Sequence, residues 1–216
     1  MSSEPRLAAS VILLRDGVNG PEVFVQHRVS TMDFAAGMVV FPGGRVDEVD
    51  RQAQDFPSEL LRRHAEAWHL SSQNDDDGDT AAANAGTLLA AARREVFEEA
   101  GIALEPEDLL PWANWVTPPD QPKRFDTFFY IASPSPKLEP MHQTTEASSS
   151  HWMPVREILE QEAALTLRLM PPTLVLLREI LGLGSVAAVR SVNRDIVPVH
   201  PAAGALQEFL RGKGLG

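Results

Sequence analysis

The chain contains no cysteine. That excludes a disulfide framework, zinc–thiolate sites, iron–sulfur clusters and cysteine nucleophiles, and it fits a reducing compartment. Positive charge is scarce: 19 Lys and Arg stand against 30 Asp and Glu, a net charge of −11, and the pI is about 5.0. Non-specific nucleic-acid binding draws on many Lys/Arg–phosphate contacts, so that role is excluded. An acidic protein can still act on a phosphorylated small molecule when a divalent cation stands between the two. No segment approaches the ~18–20 apolar residues of a membrane span. The run Leu7–Leu14 is short, ends at Arg15 and lacks a small-residue cleavage site. It reads as a strand and not as a signal peptide, and the cytoplasm is the expected compartment. Several motifs are missing too. No G-K-[ST] follows Gly43-Gly44, no G-x-S-x-G surrounds Ser148–Ser150, and the six histidines show no H-E-x-x-H. These absences exclude a P-loop, a nucleophile elbow and a zincin site. The acidic loop Ser71–Asp79 lacks the D-x-D-x-D-G order of a calcium loop and reads as a solvated surface loop.

What is present fits one globular domain over residues 1–216. A chain of this length buries roughly 70% of its unfolded surface and needs no staple. Leu7–Leu14 and Glu22–Arg28 read as strands around the turn residues Asp16–Pro21, and Gly37–Phe41 reads as a third strand entering a sharp turn at Pro42-Gly43-Gly44. Ser58–Leu70 reads as a helix with Ser58 as its N-cap. Ala81–Ala100 is an alanine-rich helix with Gly101 in the C-cap position. Leu109–Val116 and Phe125–Ala132 read as strands flanking the proline-rich loop Thr117–Lys123. Ser148–Met153 reads as a last strand, and Val155–Gln161 and Thr173–Leu183 as helices entered through proline. The tail from Ser185 is weakly patterned, with one short helix near Ala205–Leu210. Strands with two or three packing helices and no regular alternation argue for an α+β fold built on a mixed sheet. Trp112, Trp115, Phe125 and Phe128 are candidates to stack on a base, although aromatics in strands more often fill a core. His27 and His151 read as structural.

The chemistry concentrates in Arg94-Glu95-Val96-Phe97-Glu98-Glu99-Ala100-Gly101-Ile102. On a helix, Glu95, Glu98 and Glu99 fall at i, i+3 and i+4 and share one face, where like charges repel. They also occupy the last two turns, where the helix dipole disfavours negative charge. An acidic cluster that costs stability on both counts is a candidate cation site, and its oxygen donors suit Mg²⁺ or Mn²⁺.

This stretch resembles the second half of the Nudix box, G-x5-E-x7-R-E-U-x-E-E-x-G-U with U aliphatic, at every specified position. Gly44, after Phe41-Pro42-Gly43, takes the place of the box glycine, and Asp50 stands where the family has glutamate. The family then places 7 residues before the arginine; here residues 51–93 number 43, an excess of 36. A box split by an insertion resembles the subgroup typified by coenzyme A diphosphatases. That subgroup's second motif, L-L-T-x-R-[SA]-x3-R-x3-G-x3-F-P-G-G, aligns in spacing from Phe24 through Arg28 and Gly37 to Gly44. Val29 replaces its Ser/Ala and Asp33 its second arginine. Lys123-Arg124 are either a replacement source of positive charge or an ordinary solvated pair.

The resemblance implies a mixed β-sheet sandwiched between helices (α/β/α). It also implies a partly helical insertion over about 51–86 that leaves the half-boxes adjacent, and a C-terminal helical extension over about 171–216. It implies Mg²⁺- or Mn²⁺-dependent hydrolysis of a diphosphate in a nucleotide derivative. The expected metal ligands are Glu95, Glu98, Glu99 and a backbone carbonyl at Gly43–Gly44. Arg94 is expected to hold the carboxylates in register, and Glu98 or Glu146 to act as base. Arg28, Phe41, Gly44, Lys123 and Arg124 are expected to contact substrate. Coenzyme A or acyl-coenzyme A heads the substrates. ADP-ribose or a dinucleotide such as NADH is the alternative, and a non-catalytic nucleotide-binding or regulatory module is the alternative of another class. The expected partner is a small-molecule nucleotide, with a homodimer left open.

Overall fold

The computed structural model of the chain describes residues 4–29, 37–52, 55–135, 137–143, 145 and 147–213. Its centre is β1 (Arg6–Gly17), a 12-residue strand buried on both faces over Ala8–Leu14. Side chains alternate across a strand, so Val11 and Leu13 enter one core while Ile12 and Leu14 enter the other. Each such side chain contributes about 1.5–3 kcal/mol on leaving water. The C-terminal end of β1 pairs antiparallel with β2 (Gly20–Arg28), with Leu14 opposite Val23. Its N-terminal half pairs parallel with β6 (Phe125–Ala132) and antiparallel with β4 (Gly43–Arg45). β2 also carries β3 (Val39–Val40) and β7 (Ala147–Pro154), and β5 (Leu110–Val116) closes the far edge beside β6. The result is one seven-stranded mixed sheet with helices on both sides, as the α+β reading expects.

One side is covered by α1 (Ser58–Ala67) and α2 (Gly78–Ala100). The other is covered by α3 (Val155–Ala163), α4 (Pro171–Leu183) and α5 (Val186–Arg190). Alanines of α2, among them Ala85, Ala91 and Ala92, bring the helix close to the sheet. Gly101 ends α2 in the left-handed conformation, φ 71°, which glycine adopts without a Cβ penalty. A final helix, α6 (Ala205–Gly212), follows the tail. Among the described residues no helix is long and apolar enough to cross a membrane.

Three local readings need correction. Ser58 is the first helical residue of α1 and does not cap it; Pro57 precedes it with extended dihedrals. α2 starts at Gly78, three residues earlier than its alanine run, because the Asp77 side chain accepts from the Thr80 N–H and caps the helix. Gly43-Gly44 is not a free turn but part of β4, paired with Ala9 and Ser10 of β1.

The segment between the half-boxes is woven into the core. Phe56, Leu60, His64 and Trp68 are all buried. Trp68 Nε1 donates to the Tyr130 hydroxyl at 3.4 Å, and its ring meets Phe128 and Tyr130 edge-on. Beyond the helix, the Ser72 hydroxyl donates to Asp126 at 2.5 Å, which ties the loop to the start of β6.

Candidate functional site

The two half-boxes meet where β4 runs beside the last two turns of α2. The Gly43 N–H donates to Glu99 Oε2 at 2.9 Å. A Cβ on Gly44 would run into the Glu95 carboxylate, and one on Gly43 would come within 2.5 Å of the Ala9 carbonyl. Only glycine therefore lets the strand lie against both β1 and the carboxylates.

Arg94 is the clasp. Its Nε and Nη2 reach the two oxygens of Asp50 at 3.0 and 2.8 Å, the bidentate geometry that suits a guanidinium. Nη1 reaches Glu95 at 2.9 Å and Glu98 at 3.1 Å, and Nη2 also donates to the Arg45 carbonyl. Asp50 is 3% exposed and accepts from the Asp47 N–H at 2.8 Å. One arginine thus joins residues 45 and 50 to 95 and 98 across the 43-residue spacer. The shorter aspartate still spans the gap, because a one-turn 3₁₀ helix over Glu48–Arg51 carries it inward.

The carboxylates differ in environment. Glu95 and Glu99 are buried, while the Glu98 side chain keeps 54% of its surface. Burial pushes the Glu95 carboxyl up to about 7 despite the pull of Arg94, and the negative charges of Glu98 and Asp47 push the same way. The Asp50 hydrogen bonds raise the Arg94 pKa above its ordinary value, so the clasp stays charged. Among the described residues no three acidic or histidine side chains converge on one point. The carboxylates form a row along a wall, not a closed cage. A row fits Mg²⁺, which keeps several waters and takes one or two carboxylates plus substrate phosphates. A buried carboxyl whose proton is held up to about 7 is also a group that a cation would return to its charged form.

This wall belongs to a cavity of about 990 Å³. Arg28, Phe41, Gly43, Gly44, Arg94, Glu95, Glu98, Glu99, Lys123 and Arg124 all line it. Arg124 Nε donates to the Thr117 carbonyl at 3.1 Å, so the proline-rich loop holds this cation at the cavity. Glu146 and Asp33 lie outside the described residues. Of the four aromatics, Trp115 and Phe125 line the cavity, whereas Trp112 and Phe128 are buried in the two cores. His27 and His151 stack on each other at 5.2 Å and are not among the lining residues.

The sequence reading missed Arg6, Arg45 and the whole C-terminal contribution. Arg6 precedes the apolar run of β1, and a charged residue opening an otherwise buried strand was its available signal. Met170–Thr173, Pro201, Ala205, Leu206 and Phe209 reach the cavity only through tertiary packing.

The family model described as NUDIX domain matches residues 59–173. Nudix hydrolase 7 of Caenorhabditis elegans is 26% identical over 184 residues, covering 80% of this chain. The match covers 59% of that curated relative's length. The crystal structure of a NUDIX hydrolase from Alicyclobacillus acidocaldarius superimposes with a TM-score of 0.68 at 25% identity, covering 93% of this chain and 100% of that one. A MutT protein from Methanosarcina mazei shares the fold at a TM-score of 0.50 and 14% identity, over 83% of this chain and 95% of that one.

Proposed function

The chain belongs to the NUDIX family, and on that premise we propose that it is a Mg²⁺- or Mn²⁺-dependent diphosphatase of nucleoside diphosphate derivatives, with coenzyme A and its acyl esters as preferred substrates. The observation that carries the reading is the Asp50–Arg94 clasp. It holds Glu95 and Glu98 toward the cavity, while the Gly43 N–H holds Glu99. A non-catalytic module has no need of such machinery.

Glu95, Glu98 and Glu99 are the side chains that would hold the cation, and the backbone at Gly43–Gly44 lies beside them. When bound, the ion neutralises the diphosphate, polarises the phosphoryl oxygens and lowers the pKa of a bound water. The protein residues do the rest. Arg94 keeps the carboxylates in register without facing the substrate alone. Arg28, Lys123 and Arg124 offset the charge of the phosphates, as expected for a polyanion bound by an acidic protein. Glu98, the most exposed carboxylate of the row, accepts the proton of the attacking water; Glu146 is the other candidate for this step. The water oxygen joins one phosphorus as the anhydride P–O bond breaks. Coenzyme A would give 3′,5′-ADP and 4′-phosphopantetheine, and acyl-coenzyme A the acylated form of the latter.

The coenzyme A preference rests on the spacing from Arg28 to Gly44 and on a cavity at the large end of the usual ligand range. The test is a panel assay with Mg²⁺ and Mn²⁺ against coenzyme A, acetyl-coenzyme A, ADP-ribose, NADH and nucleoside triphosphates. Higher kcat/KM for the coenzyme A species supports the assignment. Equal or better turnover of ADP-ribose moves it to the alternative substrate, and nucleotide binding without any hydrolysis moves it to the regulatory module.

A further inference from the structure

Two segments near the C-terminus contribute apolar surface to the cavity. One is the start of α4, Met170-Pro171-Pro172. The other is the inner face of α6, where Leu206 and Phe209 lie at i and i+3 and so point the same way, while Gln207 and Glu208 face solvent. A helix N-terminus ordinarily offers free N–H groups to an anion. Here Pro171 and Pro172 remove the first two donors, and the start of α4 offers the cavity apolar rings in their place.

The segment is fixed in place and is not a loose tail. Val199 donates to the Asn114 carbonyl and accepts from the Val116 N–H, both at 2.9 Å, which extends the sheet beyond β5. Just before it, the Arg194 guanidinium lies 4.6 Å over the Trp112 ring, donates to the Trp112 carbonyl at 3.3 Å and pairs with Glu179. Beyond α6, Lys213 pairs with the buried Glu162 of α3, and Phe209 packs on the core around α4. Both ends of residues 200–212 are therefore tied to the body of the domain.

We propose that Leu206 and Phe209, together with the Met170-Pro171-Pro172 segment, form the specificity wall of the cavity and receive the apolar acyl chain that an acyl-coenzyme A carries at the far end of its pantetheine arm. This rests on the diphosphatase reading and refines it toward acyl esters over free coenzyme A. Because the wall is pre-formed, the apolar contact costs little ordering on binding.

The experiment compares decanoyl-coenzyme A with coenzyme A on wild type, Leu206→Ala and Phe209→Ala, in Mg²⁺. Both substitutions should lower kcat/KM for decanoyl-coenzyme A about tenfold, mainly through KM, the scale expected when a few methylene contacts are lost. Coenzyme A turnover should stay within about twofold of wild type. Phe209 also packs on the core, so Leu206→Ala, whose side chain lies outside the buried cluster, keeps the test valid if Phe209→Ala unfolds. Parallel loss on both substrates, or no loss on either, overturns the wall. If wild type hydrolyses neither substrate, the coenzyme A diphosphatase reading fails on its own. Calorimetric binding of the same two ligands then tests the wall: Leu206→Ala should weaken only decanoyl-coenzyme A, and equal weakening of both overturns it.

Discussion

Asp50→Asn removes one charge at nearly constant volume and opens the clasp between the half-boxes. Asp50 is 3% exposed, and its two contacts to Arg94, at 3.0 and 2.8 Å, are the main link across the spacer. Losing one partner of a buried pair costs about 3–5 kcal/mol. The lower end applies here, because Arg94 keeps 19% of its side-chain surface in water and retains Glu95 and Glu98. For a domain of this length about 3 kcal/mol lowers Tm by about 6–12 °C. The assay is thermal unfolding by circular dichroism at pH 7 without metal, for wild type, Asp50→Asn, Arg94→Gln and the double variant. The cycle should return a coupling energy above about 1.5 kcal/mol, within the range for residues in one ion-pair network. Asp50→Glu keeps the charge and should recover part of the loss. Asp50→Asn melting within about 2 °C of wild type, or additive single changes, would refute the clasp and leave backbone contacts such as Gly43 N–H to Glu99 to join the half-boxes.

Trp68→Ala should destabilise the protein by about 3–5 kcal/mol, read as a lower urea midpoint, because the ring is 1% exposed against Phe128 and Tyr130; a change under 1 kcal/mol would show that the spacer only decorates the surface. His64 should carry an acid-sensitive stability term. Burial lowers its pKa to about 4, against 6.5 in the unfolded chain, so the unfolded state binds more protons between those values and stability falls as pH falls through them. That shift corresponds to about 2 kcal/mol lost between pH 7 and pH 5, present in wild type and absent in His64→Leu. Glu95 acts in the opposite sense, since its pKa raised to about 7 favours the folded state as pH falls toward 4.5, so the difference between the two proteins is the quantity to measure. Parallel stability–pH curves for the two proteins would rule out the His64 term.

The half-box Arg94–Ile102 was legible in the sequence because its chemistry is local: spacing on one helix sets the shared face, and Gly101 marks the end. The strands were legible for a similar reason, β1 being aliphatic over Leu7–Leu14 apart from Ser10. What escaped depends on contacts distant along the chain. β4 is Gly43-Gly44-Arg45, with no β-branched residue, and is a strand only because β1 pairs with it. Ser58 offered a cap by residue type, yet the chain enters the helix one residue earlier. Leu60, Leu61 and Trp68 give the helix from Ser58 an apolar side in the sequence, but not the surface it packs on; Trp68 against Tyr130 decides that. Trp112 and Trp115 both pack on the same core, because the register shift at Pro111–Ala113 breaks the alternation between them, and only Trp115 also lines the cavity. Leu206 and Phe209 sit in a weakly patterned tail, whose place over the cavity is set by Val199 and Arg194.

The central claim is that the Glu95–Glu98–Glu99 row holds a catalytic cation, and Glu98→Gln tests it most directly. Glu98 is half-exposed and contributes a single 3.1 Å contact to Arg94, so the metal-free variant should melt within a few degrees of wild type. Saturating Mg²⁺ should raise the wild-type Tm, by about 2.7 kcal/mol of linkage at a hundredfold excess over Kd, and should raise that of the variant less. At that Mg²⁺ concentration, kcat on coenzyme A should fall by about 10²-fold or more, as on losing one well-placed electrostatic group. Near wild-type kcat in Glu98→Gln, with the same Mg²⁺-induced rise in Tm, would contradict the account and make this face ordinary solvated charge.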